Sequence, residues 1–210
     1  MREKEYGTKD RRRAILEAAA RVIARRGVRG LRVEELAADA GVSKALVYYH
    51  FEDRAGLLRS TLEFIGARAE RYTHRDPPRP HTPDSPLGEL ERRLLLELQD
   101  VPEVRENSTA WGELRAGAVF DPELRKELAR ARVDWVREVA DLLGPGTPSV
   151  PDADLVAAAE RLTALLEGLS TRWLIGILPV DHARELMREA VAAEAHLLGL
   201  PDRQAVCAAG

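Results

Sequence analysis

One short segment carries four side chains that could bind an anion or the polar edge of a base: Lys44, Tyr48, Tyr49 and His50. The ammonium, phenol and imidazole groups are all hydrogen-bond donors, and the phenol rings can also pack on sugars. Donors of this kind bind nucleic-acid phosphates, and those near a helix start can reach base edges. The intervening Ala45 and Leu46 could contact thymine methyl groups. Residues 44–50 are therefore predicted to bind DNA.

Two short helices are predicted to position these side chains, within the sequence VEELAADAGVSKALVYYHF of residues 33–51. An i, i+3, i+4 apolar stripe predicts the first helix: Val33, Leu36, Ala37 and Ala40. Gly41 suits the left-handed stop of that helix, and Ser43 is a good N-cap for the second. Two helices joined by such a turn form a helix-turn-helix, whose second helix enters the major groove. We expect Val47 and Phe51 to be core residues of this unit.

The wider segment, residues 11–58, resembles the N-terminal domain of the TetR family of bacterial transcriptional regulators. The shared elements are a first helix ending in glycine, then Val-x-x-Leu-Ala, Gly-Val-Ser, Tyr-Tyr-His-Phe and a charged turn before Leu-Leu. The chain departs from the family at Arg32, where a Thr or Ser often caps the second helix. The resemblance implies a set of DNA-binding residues: Arg32, Ser43, Lys44, Ala45, Leu46, Tyr48, Tyr49, His50 and Arg54.

The charge distribution agrees with DNA contact at one end of the chain. Residues 1–60 contain 14 Lys and Arg against 9 Asp and Glu, a net charge of +5, whereas the remainder has 18 against 26, a net charge of −8. A basic N-terminal part and an acidic remainder suit this arrangement. The single cysteine, Cys207, allows no disulfide within one chain, and no long apolar run is present. We therefore expect a cytoplasmic protein that does not enter a membrane.

Helical periodicity without strand-like alternation predicts an all-α fold of about nine helices. Residues 1–52 are expected to form the DNA-binding domain, and residues 53–210 a larger helical domain for effector binding and dimerisation; the second role comes from the resemblance. A proline-rich loop is predicted at 74–86 and a second linker at 144–151. The helices after the helix-turn-helix are predicted at 53–72, 87–99, 102–118, 121–143, 152–178 and 181–198.

A small apolar or amphipathic effector could bind between helices of the larger domain, which is a usual place for such sites. The candidate lining residues are its large aromatic side chains, for which core packing is an equal alternative: Trp111, Phe120, Trp135 and Trp173. Arg172 could face this pocket or belong to an exposed helix face. The histidines show no ligand spacing, and every carboxylate falls on a predicted solvated face, so we expect no metal site, no cofactor and no catalysis.

Dimerisation is expected because one short recognition helix reads only a few base pairs. The last two helices have wide apolar faces, which in two copies could form a four-helix bundle. Candidate residues for this seam, shared with the core, are Leu162, Leu165, Leu169 and Leu186. The sequence thus predicts a homodimeric, ligand-responsive repressor of a palindromic DNA operator. The alternative is an all-α small-molecule-binding protein or enzyme that retains the helix-turn-helix as a scaffold.

Overall fold

A computed structural model describes residues 2–73, 86–144 and 149–200, and the side chains within these ranges except those of residues 2–8 and Pro86. Across these ranges the regular structure is helical, which confirms the all-α prediction. The helices are α1 (Arg2–Arg26), α2 (Val33–Asp39), α3 (Lys44–Phe51), α4 (Arg54–Thr73), α5 (Pro86–Leu96), α6 (Pro102–Ala118), α7 (Pro122–Leu143), α8 (Asp152–Leu174) and α9 (Val180–Leu197), with a 3₁₀ turn at Val28–Gly30.

The helix limits follow local backbone chemistry. Asp53 accepts a hydrogen bond from the Gly56 amide at 2.7 Å, and Asp121 accepts from the amides of Glu123 and Leu124, so both aspartates cap helices as their positions predict. The eighth helix was expected to reach residue 178, but α8 ends at Leu174. Gly176 has φ +79° and the Ile177 amide returns to the Arg172 carbonyl at 3.1 Å, which is a glycine-dependent helix stop.

The helices divide into two compact units. Unit 1 contains residues 2–70 and 102–131. Its core surrounds α1, whose Ile15, Ala18, Ala19 and Ile23 are fully buried. Besides α2 and α3, this core contains apolar residues of α4, α6 and the start of α7: Leu57, Leu58, Leu62, Ile65, Ala110, Leu114, Ala118 and Leu124. The helix-turn-helix is therefore packed within a larger helical body.

Unit 2 contains the described residues within 71–101 and 132–200. Here α9 packs against both α5 and α8. The helices bury complementary apolar faces at i, i+3, i+4 and i+7 spacing, as expected for helices in a common core. The buried residues include Leu90, Leu94, Leu98, Val139, Leu143, Leu155, Leu162, Leu166, Leu169, Trp173, Ala183, Met187 and Val191.

The units share two helices, since the last residues of α4 and the second half of α7 belong to unit 2. The boundary predicted at residue 52, between a DNA-binding domain and an effector domain, stays a prediction. The compact unit that contains the helix-turn-helix also contains α4 residues and α6. Most of the predicted loop at 74–86, part of the linker at 144–151 and the tail with Cys207 lie outside the described residues. None of the helices described is long and apolar enough to cross a membrane.

Candidate DNA interface

The turn between α2 and α3 closes through glycine and serine. Gly41 has φ +65°, its amide donates to the Ala38 carbonyl at 3.2 Å, and the Val42 amide donates to the Ala37 carbonyl at 2.9 Å. These two bonds satisfy carbonyls that the end of α2 would otherwise leave open. Ser43 Oγ then accepts a hydrogen bond from the Leu46 amide at 3.2 Å, which caps α3. The predicted helix-turn-helix is thus present with the predicted stop and cap.

The α3 helix has one buried face and one open face. Val47 and Phe51 are 1% and 4% exposed, so both are core residues as predicted. By contrast, Tyr48 is 40% and Tyr49 is 77% exposed. The remaining candidates divide in the same way: Ser43, Lys44 and Ala45 are exposed, and Leu46 and His50 are half-buried. The exposed hydroxyl groups of Tyr48 and Tyr49 are placed where they could donate to phosphate oxygens.

Lys44 is held at the first position of α3 by two neighbours. Its ammonium group pairs with the carboxylate of Glu34 on α2, and it lies 5.9 Å from the centre of the Tyr48 ring. The hydrogen bond with Glu34 raises the pKa of Lys44 and lowers that of Glu34, so both groups are charged near neutral pH. Both side chains are more than half exposed, which leaves the ammonium group accessible to a phosphate.

His50 has a different environment at the end of α3. Its Nε2 atom is buried without a hydrogen-bond partner, and its ring makes an edge contact with Tyr49. Desolvation lowers the pKa of His50, and the charges of Arg12 and Arg11 lower it further. His50 is therefore neutral near pH 7, and its buried Nε2 would have to be uncovered before it could contact a phosphate.

The two arginines implied by the resemblance are placed differently. Arg32 occupies the N-cap position of α2 without making a side-chain cap, and it is exposed. Arg54 is exposed as a residue, but its Nη2 donates to the Val28 carbonyl at 2.5 Å and so fastens the 3₁₀ turn to α4. The roles of both residues in DNA binding stay predictions.

One feature of the turn after α3 could not be found from sequence patterns. Glu52 has φ +62° and ψ −61°, and the Asp53 amide bonds to the Phe51 carbonyl at 2.6 Å, which defines a strained γ-turn. A side chain at Gly56 would lie 2.3 Å from the Phe51 carbonyl oxygen. The chain therefore needs glycine at this position to bring α4 directly against the end of the recognition helix.

The predicted effector residues are divided between the units. In unit 1, Trp111 packs against the core, whereas Phe120 is 75% exposed and lies under the Arg29 guanidinium at 5.3 Å from the ring centre. In unit 2, Trp135 is half-buried and Trp173 is buried. Arg172 is exposed, which agrees with the alternative that it belongs to an open helix face. An effector site at the four aromatic residues stays a prediction.

The predicted dimer residues fall into two groups. Leu162 and Leu169 are 1% and 2% exposed and belong to the core of unit 2. Leu165 is 37% exposed, although it lies on the same helix, and Leu186 is half-buried. Only the second pair offers apolar surface to a partner, so Leu165 and Leu186 are the better candidates for a seam.

The expectation that every carboxylate is solvated is wrong at two positions. Glu194 is 8% exposed and receives two 2.6 Å hydrogen bonds from the Arg161 guanidinium. Glu97 is half-buried just after α5, and desolvation of its carboxyl group raises its pKa to about 7. The sequence did not predict the burial of these two carboxylates, because glutamate side chains are usually solvated. Their burial becomes visible only once the neighbouring helices are packed beside them. Among the described residues, no group of three or more metal-ligating side chains is present.

A helix-turn-helix whose second helix exposes a lysine and two tyrosines defines a class, the helix-turn-helix DNA-binding regulators. Residues 15–61 match the model of bacterial regulatory proteins of the tetR family, and residues 88–196 match that of the BetI-type transcriptional repressor C-terminal domain. The chain belongs to the TetR family of transcriptional regulators, with a body of the BetI-type repressor family. It is a DNA-binding regulator of the ligand-responsive repressor type, and the alternative of a small-molecule-binding protein or enzyme is not favoured.

Three relatives illustrate this similarity. The chain is 27% identical over 181 residues to the HTH-type transcriptional regulator BetI of Burkholderia mallei, covering 84% of this chain and 89% of the relative. A TetR-family regulator structure from a Rhodococcus species is 44% identical with a TM-score of 0.80, covering 88% and 98% of the two chains. A regulator from Saccharomonospora viridis, crystallised in complex with choline, is 26% identical with a TM-score of 0.69, covering 86% and 95%.

Proposed function

We propose that two copies of this chain bind an inverted-repeat operator through their α3 helices and release it when a small molecule binds. The proposed DNA binding is supported mainly by the open face of α3, where Lys44, Tyr48 and Tyr49 are exposed together. The proposed contacts with phosphate or bases are made by this face and its flanks: Arg32, Ser43, Lys44, Ala45, Leu46, Tyr48, Tyr49, His50 and Arg54.

The short length of the recognition helix α3 is the physical reason for proposing a homodimer. The eight residues of α3 can contact only a few base pairs, so specific binding requires two helices spaced by about one helical turn of 34–36 Å or a multiple of it. The proposed seam is the open face of α8 and α9, where Leu165 is exposed and Leu186 is half-buried. A Cβ at Gly168 would meet nothing within 4 Å, so a second chain has room to approach α8 closely.

The proposed effector acts through residues 53–210, the part we assign to effector binding and dimerisation. The choline complex of the Saccharomonospora viridis regulator supports a small organic molecule as ligand, and Trp135 and Trp173 are the proposed aromatic contacts in unit 2. Helices α4 and α7 each continue from one unit into the other and offer a covalent route for coupling. A ligand can shift the equilibrium only by its preference for the non-binding state, typically about 1–3 kcal/mol.

The test is to select operators from random duplexes and measure affinity by fluorescence anisotropy at several salt concentrations. We expect an inverted repeat, and we expect Tyr48→Ala and Lys44→Ala to weaken binding at least tenfold. Lys126→Ala is the matched control, because Lys126 is an exposed lysine paired with Glu123 on α7. Equal affinity of all four proteins for the selected site would rule out this recognition surface.

A further inference from the structure

A run of cations precedes the buried part of α1. Residues 9–13 read Lys-Asp-Arg-Arg-Arg, and all five are exposed. Ile15 and Leu16, which follow, are 0% and 4% exposed and belong to the core of unit 1. The run therefore lies on the first turns of α1 whose side chains the structure describes, just before the helix enters the core.

Arg12 fastens this end of α1 to α3 and α4. Its guanidinium lies 5.3 Å from the centre of the Phe51 ring, and its Nη2 donates a hydrogen bond to Ser60 Oγ at 3.1 Å. Phe51 is the last residue of α3 and is 4% exposed. These contacts hold the turn of α1 that contains Arg11 beside the C-terminal end of the recognition helix.

The positive charge of Arg11 acts at the same end of α3. Desolvation lowers the pKa of His50 most, and the charges of Arg12 and Arg11 lower it further. Both charged groups that shift this pKa are positive, so the electrostatic potential at the end of α3 is positive. The His50 ring contacts the ring of the exposed Tyr49, with 5.4 Å between their centres. The charge of Arg11 is therefore felt at the end of α3 that exposes Tyr49.

Arg11 has no carboxylate partner among the side chains that the structure describes. Three other arginines of α1 have one: Arg13 pairs with Glu17, Arg21 with Asp39, and Arg26 with Glu35. The residues at i−4, i−3, i+3 and i+4 from Arg11, where a helical ion pair would form, are Gly7, Thr8, Ala14 and Ile15. None of these is acidic, so the exposed guanidinium of Arg11 keeps its planar set of donors open to an external anion.

We propose that Arg11 is a further DNA-binding residue, which binds a backbone phosphate next to the base pairs that α3 contacts. This inference rests on the proposed function, because it adds one contact per protomer to the interface of α3. A phosphate contact fixes the register and orientation of a protein on the duplex but carries no sequence information. Arg11 should therefore increase affinity for the operator and for random DNA alike.

The charge distribution favours a phosphate over a base edge as the partner of Arg11. A phosphate carries a full negative charge and is attracted by the summed positive charge of Arg11 and Arg12, whereas the edge of a base is neutral. Arg11 also lies on α1, outside the helix that is proposed to enter the major groove. Two copies of the chain supply Arg11 twice, so the proposed homodimer would neutralise two additional phosphates.

The test compares Arg11→Gln with Arg25→Gln in the full-length protein bound to its selected operator. Arg25 is the matched control, because it is an exposed arginine of the same helix without a partner among the described side chains. It lies about 21 Å farther along the axis of α1. We expect Arg11→Gln to lower affinity about fivefold or more at low salt, and to reduce the slope of log affinity against log salt by about two per dimer. Arg25→Gln should change neither quantity.

Two further measurements separate a phosphate contact from a structural role. Arg11→Lys keeps a positive charge that can bind a phosphate as a point charge, so it should restore the salt slope and part of the lost affinity. Ethylation interference identifies the operator phosphates that binding requires. With Arg11→Gln, one phosphate position in each half-site should lose its interference while the other positions keep theirs.

The outcomes distinguish this inference from the proposed function. Equal affinity and salt slope in Arg11→Gln and Arg25→Gln would overturn the assignment of Arg11, and so would a loss of affinity with an unchanged interference pattern. Either result leaves the proposed function standing if Lys44→Ala and Tyr48→Ala still weaken binding. An unmodified protein that selects no operator would contradict both.

Discussion

The ammonium group of Lys44 on the recognition helix pairs with the carboxylate of Glu34 on α2. The pair links the first residue of α3 to α2, and it occupies the positive charge that a DNA phosphate would bind. Both side chains are largely exposed, so the pair itself contributes little to the free energy of unfolding. Its consequence concerns binding, because a phosphate must compete with a carboxylate that is already in place.

Replacing Glu34 with glutamine should therefore strengthen DNA binding. We expect Glu34→Gln to increase affinity about three- to tenfold at low salt for specific and random duplexes alike, because a phosphate contact carries no sequence information. Lys44→Ala should weaken binding and reduce the salt-dependence slope by about one. Anisotropy titrations at several salt concentrations measure both effects. A Glu34→Gln protein that binds more weakly would show that Glu34 positions Lys44 productively rather than competing with DNA.

The geometry of the helix-turn-helix depends on the left-handed conformation of Gly41. A Cβ there meets nothing within 4 Å, so Gly41→Ala adds backbone strain without a clash. We expect it to lower the free energy of unfolding by about 1–2 kcal/mol. Gly66→Ala is the matched control: Gly66 lies inside α4, has the same open surroundings and lacks the positive φ. That variant should be stabilised by up to about 1 kcal/mol. Urea denaturation should show that the two variants change the free energy of unfolding in opposite directions. A change in the same direction would contradict this interpretation.

The helix-turn-helix could be predicted closely because its signals are local. Gly41, Ser43 and the apolar stripe of α2 each act within four residues, and the structure has the predicted stop and cap. The environments of Glu97 and Glu194 could not be predicted, because they depend on which helices pack beside α5 and α9. The γ-turn at Glu52 was also missed, since glutamate carries no signal for positive φ. It exists because α3 and α4 both bury residues in the same core.

Packing also changes how the predicted dimer residues should be tested. All four leucines fit the apolar periodicity of α8 and α9, but the structure buries Leu162 and Leu169 within one chain. We expect Leu169→Glu to unfold or aggregate, because it places an unpaired charge in the core of unit 2. We expect Leu165→Glu to remain folded and become monomeric, with specific operator binding lost. Light scattering and circular dichroism separate these outcomes. A folded, dimeric Leu165→Glu protein would place the seam elsewhere.

Glu97 should make the stability of the protein depend on pH. Its pKa is about 7 in the folded protein against an ordinary value of 4.5, so between these values the folded chain holds a proton that the unfolded chain has lost. The stabilising contribution is complete below pH 4.5 and is lost as pH rises through 7, with a slope of at most about 1.4 kcal/mol per pH unit. The lowered pKa of His50 acts in the opposite direction in part of this range, so total stability alone does not isolate Glu97.

The difference between the unmodified protein and Glu97→Gln isolates this contribution, because the neutral amide has no proton to lose. The variant should match the unmodified protein most closely near pH 5 and become progressively more stable than it up to about pH 8, after which the difference should level off. Urea denaturation at pH 5, 6, 7 and 8 measures this. Glu185→Gln, on the exposed face of α9, should show no such trend. A difference for Glu97→Gln that stays constant across these pH values would mean that Glu97 is ionised throughout this range, which would contradict the raised pKa of its carboxyl group.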